Sequence, residues 1–350
     1  VRDRPFTKLF SLLTGLLTLS GCGAIKTAVF PTPSPSGVSA QNLAIIANRA
    51  DPLSMQIARY YQQRRRIPEQ NLIVVSFQPG RTTLPEGEFR RIKTEVETKI
   101  PAQIQAFALT WAAPYRVDCM SITSAFAFGF DDRFCAKGCL PTQASPYFNQ
   151  KQVKPFDRFR IRPTMAIAAT TFTQAKALID RGIAADGTYP NGTAYLLSTS
   201  DHTRNVRAHL YPLISQYFDP PFKVVILNRD VLEQQTDIMF YFTGLTQVQK
   251  LETNRFRPGA IADHLTSVGG ALTDSFQMSS LRWLEAGATG SYGTVVEPCN
   301  FPAKFPNPAI AMLHYFQGDT LLEAYWKSVA QPGQGIFIGE PLARPFPSTP

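Results

Sequence analysis

The sequence predicts an α/β fold: a mainly parallel sheet with helices on both faces. Two observations carry the α/β class. Short apolar runs of strand length recur along the chain, and the segments between them place apolar residues at helical spacing. No internal repeat of solenoid period is present.

Taken in order, Asn42–Asn48 reads as the first strand. Asp51 and Pro52 then supply an N-cap and a favoured first helical residue, and Leu53, Ile57, Tyr60 and Tyr61 continue a helix to the Arg64–Arg66 triplet. Leu72–Ser76 is a second strand, Phe89, Ile92 and Val96 mark a helix, and Ala106–Trp111 is a third strand. Between 112 and 159 the periodicity fails, so this stretch is expected to be a long irregular insertion. Thr164–Ala169 resumes the pattern as a strand, followed by a helix carrying Ala175, Leu178, Ile179 and Ile183. Thr193–Leu197, Lys223–Leu227 and Ile238–Phe242 are strands, with a helix through Val206, Leu210, Leu213 and Tyr217 after the first. Leu281 and Leu284 lie on a short helix ending at Gly287, and Gly290–Val296 is a strand. Asn307-Pro308 and Thr320 with Glu323 start two more helices by capping logic, and Gly335–Ile338 closes the sheet. Residues 41–350 therefore form one α/β domain or two closely packed halves.

The first 40 residues carry different information. Arg2, Arg4 and Lys8 precede an apolar stretch, Leu9–Leu19, about half the roughly 20 residues that a membrane-spanning helix needs. Residues 1–21 are thus expected to be a signal peptide. The stretch ends in Leu19-Ser-Gly-Cys22, which resembles the lipobox of bacterial lipoproteins and implies a lipid on Cys22. Residues 22–40, rich in Pro and Ser, read as a tether, so the body would be anchored to a bacterial envelope membrane, outside the cytoplasm, without spanning it.

Cys119, Cys135, Cys139 and Cys299 remain, an even number that suits disulfides in an exported protein and allows three pairings. Cys135 and Cys139 are close enough for a metal site, but no second Cys pair or His pair stands at ligand spacing, so neither metal nor other cofactor is expected. The formal net charge is +9. The only tight basic run is the Arg64–Arg66 triplet, which reads as a solvated helix end, and with no nucleic-acid motif beside it no nucleic-acid partner is expected. The adjacent acids Asp131 and Asp132, and Glu297, read as loop solvation.

Phosphate loops, the dinucleotide glycine fingerprint, His-Glu-x-x-His and the Gly-x-Ser-x-Gly elbow are absent. Asp201, Arg204 and Arg207 follow a strand, and the two arginines, at i and i+3, offer a possible anion-binding pair. The rival reading is a capped helix whose arginines meet solvent or loop acids.

From Tyr241 onward, several motifs resemble caspase-fold cysteine peptidases, gingipain-like ones in particular. Tyr241-Phe-Thr-Gly-Leu245 is similar to the turn that carries the catalytic His, with Leu245 in its place. Ala262–Gly270 resembles the turn that carries the nucleophilic Cys, with Ser267, or less favourably Thr266, in its place. Phe276–Gly293 and Gly339-Glu-Pro-Leu342 resemble segments that follow. Asn48–Asp51, Asp201–Arg207, Val296–Cys299 and Glu323–Ser328 are similar to motifs of an uncharacterised bacterial envelope lipoprotein family. The resemblance implies a body that is caspase-like in its later half, with a degenerate dyad at Leu245 and Ser267. A leucine accepts no proton, and a serine needs a base more than a thiol does. The expectation is a non-catalytic binding or scaffold protein that takes a protein or peptide ligand. The alternative is a hydrolase using Ser267 and His264, three residues apart.

Overall fold

The computed structural model describes residues 37–347 other than 220 and 221. The signal peptide expected at 1–21, the lipid site at Cys22 and most of the tether lie outside the described residues. The described residues all fall in one compact unit.

In chain order the first elements are β1 (Leu43–Asn48), α1 (Pro52–Arg65), β2 (Leu72–Val75), β3 (Thr83–Leu84), α2 (Glu86–Lys99) and β4 (Ala106–Leu109). Next come β5 (Arg116–Val117), β6 (Met120–Ser121), α3 (Ile122–Phe128), α4 (Pro155–Phe159), β7 (Thr164–Ala166) and α5 (Phe172–Ala185). β8 (Thr193–Ser198), α6 (Tyr211–Phe218), β9 (Lys223–Asn228), β10 (Ile238–Thr243) and β11 (Phe256–His264) follow. The last are α7 (Leu281–Ala286), β12 (Gly290–Thr294), α8 (Pro308–Phe316), α9 (Leu321–Ser328) and β13 (Gly335–Gly339).

Ten strands make one sheet in the order β2-β1-β4-β7-β13-β12-β11-β10-β8-β9, while β3, β5 and β6 make a small second sheet. Every pairing in the large sheet is parallel except β12 with β13. β13 is the seam: it runs antiparallel to β12 and parallel to β7, joining four strands of the earlier half to those of the later half. Strands buried on both faces need continuous apolar runs, and β1 and β10 are buried at all six positions. Side chains of β10 alternate between faces. Phe240 meets Tyr315 of α8 and Phe222, and Phe242 meets Arg207, whereas Tyr241 meets Trp283 of α7 on the other side.

The caps form as the sequence predicts. Asp51 Oδ1 accepts from Leu53 N at 2.9 Å, and Thr320 with Glu323 makes a complete capping box on α9. Glu323 also accepts from Val38 N at 3.2 Å and Tyr147 Oη at 3.3 Å, so the described chain begins fastened to α9.

Three expectations change. The 112–159 stretch is not wholly irregular: it contains β5, β6, α3 and α4. Six of the seven residues of α3 are buried, so this helix has no polar face and leaves no amphipathic period to read. The helix expected through 206–217 is split into a 3-10 turn at Asn205–Leu210 and then α6. Pro212 lacks the N–H that would continue α-helical bonding back to Ala208, which favours the break there. The turn expected over Ala262–Gly270 begins later, because Ala262–His264 belong to β11, whose first half carries Arg257, Pro258 and Gly259 and whose apolar half is short, so it gives little strand signal.

The four cysteines among the described residues pair, as Cys119–Cys135 and Cys139–Cys299. The first bond closes the 112–159 stretch on itself, and the second ties it to the segment after β12. Two disulfides fit an oxidising compartment outside the cytoplasm. Among the described residues no helix is long and apolar enough to cross a membrane.

Candidate functional site

In an open parallel sheet, loops at the C-terminal ends of the strands form the mouth of a site. β8, β10 and β11 end side by side, with Thr243 in register with His264. The turn after β10 is close-packed: a Cβ on Gly244 would overlap the carbonyl oxygen of Arg204, so this position admits glycine. The Gly244 carbonyl accepts from Thr199 Oγ1 at 2.7 Å, locking the β8 and β10 ends together. Leu245 follows, half-buried against an apolar cluster that includes Tyr241, Val248, Met278 and Trp283.

After β11 the chain bends through Leu265–Gly270. Gln277 Oε1 accepts from Thr266 Oγ1 at 2.7 Å and from Val268 N at 2.9 Å. Thr294 Oγ1 is placed 3.1 Å from the Thr266 carbonyl and 2.8 Å from the Ser267 carbonyl. These contacts fix the backbone of the bend and leave the Ser267 side chain half-exposed on a cleft of about 320 Å³, lined also by Arg204, Thr266, Glu297, Asn300 and the Cys139–Cys299 bridge. A larger groove of about 840 Å³ is lined by Val248, Leu251, Met278, Arg282 and the exposed Phe276.

His264 does not line the Ser267 cleft. Its Nδ1 accepts from Trp283 Nε1 at 2.9 Å and its Nε2 lies 3.1 Å from the Met278 carbonyl. Indole N–H only donates and a carbonyl only accepts, so both ring nitrogens are committed and the tautomer is set with the proton on Nε2. Burial in this pocket holds the imidazole pKa down at about 3, and the nearby charges of Arg207 and Arg204 push the same way. A ring that is neutral, enclosed and doubly bonded is not placed to take a proton from Ser267.

The two arginines separate. Arg207 is almost fully buried rather than presented to an anion: Nη1 meets Asp263 Oδ1 at 2.6 Å and the Pro306 carbonyl at 3.2 Å, and Nη2 meets the Thr243 carbonyl at 2.7 Å. The anion-pair expectation is therefore corrected: Arg207, inside the 3-10 turn, is drawn under the strand ends by Asp263 and two carbonyls, while Arg204, the residue before that turn, keeps Asp201 at the cleft. Burial disfavours this charge, but Asp263 holds the guanidinium protonated, with its pKa above the usual arginine value. Arg204 stays partly exposed at the cleft, where Nη1 meets Asp201 Oδ2 at 2.9 Å and Nε meets Thr266 Oγ1 at 3.1 Å.

The other histidines are elsewhere: His202 and His209 are exposed, and His314 bonds Asp319 and Asn149. Asp131 bonds Arg133 and Glu297 accepts from Cys299 N, so these acids serve loop geometry. Sequence reasoning missed Asp263, Trp283 and Gln277. A carboxylate beside His264 at the end of an apolar run was the signal for the first; nothing local marked the others.

No protein-family model matches this chain, and no curated protein does. Solved structures do. The crystal structure of the Arg-specific cysteine proteinase gingipain R (RgpB) aligns with a TM-score of 0.51 and 9% identity, over 89% of this chain and 79% of that one. A structure titled "Structure of Protease" aligns at 0.49 with 9% identity over 91% and 81%. A complex of Porphyromonas gingivalis RgpB pro- and mature domains aligns at 0.46 with 8% identity over 87% and 79%. The fold is that of the gingipain-like, caspase-fold proteinases, and at this identity the likeness extends to fold alone.

Proposed function

We propose that this protein is a non-catalytic binding protein on a gingipain-like body, held at the bacterial envelope by a lipid on Cys22. The strand-end loops around Ser267 and Arg204 form its contact surface for a protein or peptide ligand. One observation carries the reading: the imidazole beside the 264–267 bend is sealed in by Trp283 and Met278, while Leu245 packs into an apolar cluster. Among the described residues no imidazole at that corner is free to ionise a nucleophile, and a lone serine hydroxyl does not attack carbonyls at useful rates without a base.

The rival hydrolase reading rests on the half-exposed Ser267 at its cleft and requires His264 to leave both partners. Broad serine- and cysteine-directed activity probes, with peptide and ester substrates, separate the two. The purified protein is expected to give no labelling or turnover above its Ser267→Ala variant; turnover that disappears with Ser267→Ala establishes the hydrolase instead. The lipid is tested separately. Cys22→Ser is expected to move the protein out of the membrane fraction, because a single tether is lost; unchanged fractionation removes the anchor from the proposal.

A further inference from the structure

We infer that β9 is an association edge, where two copies of this chain pair their β9 strands antiparallel about a two-fold axis. β9 is the terminal strand of the large sheet and bonds only β8. An edge strand turns half of its backbone N–H and C=O groups outward, and proteins usually guard such edges with charges or coverings.

The other edge of this sheet is guarded. Lys99 Nζ of α2 reaches the Val74 carbonyl of β2 at 3.4 Å, and Arg91 Nη2 reaches the Ser76 carbonyl at 3.5 Å. Along β9 no cation does this among the described residues; the one side-chain contact is Asp219 Oδ2 with Val224 N at 3.5 Å. The strand reads KVVILN, with Ile226 39% exposed in its middle. α6, which feeds into β9, buries Tyr211, Ile214 and Phe218 on the sheet, yet it also exposes Leu213 (48%) and Tyr217 (71%) one turn apart. An open backbone edge and three exposed apolar side chains thus belong to one helix–strand unit.

Charge selects the occupant. Exposed Asp219 precedes the strand and exposed Arg229 follows it, and neither takes part in an ion pair among the described residues. Lys223, at the Asp219 end, acts electrostatically on Asp237 instead. Antiparallel pairing about a two-fold axis brings Arg229 of each copy toward Asp219 of the other, whereas parallel pairing sets like ends together. An unrelated extended peptide would satisfy the backbone and leave both charges without partners. Two-fold contacts use one patch twice, so the apolar residues of α6 and β9 in both copies are covered together.

Sedimentation of the purified protein across the micromolar range is expected to show a monomer–dimer equilibrium. Ile226→Lys places a charge at the centre of the edge and should weaken the dimer by at least about tenfold, with circular dichroism and melting unchanged. Arg229→Asp should weaken it as well, and adding Asp219→Arg should restore it. A protein that stays monomeric overturns the proposal, as does a dimer indifferent to Ile226→Lys or a charge swap that fails to restore association.

Discussion

Arg207→Ala is expected to destabilise this protein by about 3–5 kcal/mol, the range for leaving one member of a buried ion pair alone. The substitution strands Asp263, itself 1% exposed, beneath the strand ends, and removes the donor to the carbonyls of Thr243 and Pro306. Because domains hold only about 5–15 kcal/mol in total, urea unfolding should show the loss as a large drop in midpoint. Arg207→Lys should recover only part of it, since an ammonium lacks the planar fork that serves three acceptors. Replacing both members with apolar residues, as in Arg207→Met with Asp263→Leu, should recover more than either single change. By contrast, Arg204→Ala removes a partly exposed pair with Asp201 and should cost about 1 kcal/mol or less. If Arg207→Ala left stability within about 1 kcal/mol of the parent, the strut assigned to Arg207 would be wrong.

Stability should also fall with pH through His264. Its folded pKa is about 3 against an ordinary value of 6.5, so between those limits the unfolded chain binds the extra proton. The contribution is therefore complete above about pH 6.5 and declines by roughly 1.4 kcal/mol per unit as pH falls toward 3. Between pH 6.5 and pH 5 the loss should be about 2 kcal/mol. Burial also raises the carboxyls of Asp263 and Glu323, so other groups add to the pH dependence and the informative quantity is the difference in slope from His264→Leu. That variant loses bonds to Trp283 and Met278 and starts less stable, but its slope between pH 6.5 and pH 5 should be shallower. Equal slopes would mean that the imidazole is not held neutral. The same measurement bears on function, because a histidine acting as base at neutral pH has a pKa near 7.

Local patterns carried much of this architecture. The apolar runs of β1, β4, β8 and β10 showed themselves because a strand buried on both faces must be apolar throughout, and Asp51, Asn307 and Thr320 announced helix starts because the cap bonds reach only two or three residues. α3 was silent, since burial on all sides erases the period that marks a helix. Ser267 and Leu245 could be singled out by motif likeness, and the structure sets both beside the β10 and β11 ends.

What the linear chain determined by itself was the alternation of elements, their caps and the cysteines of the body that stand available for bonding. Only the tertiary structure decided which cysteines bond, that Arg207 turns inward to Asp263 across 56 positions, and that Trp283 and Met278 seal His264. Those outcomes depend on which strand ends become neighbours in space. Periodicity reports only what lies within a turn or two of each residue, and it carries no information on distance between elements.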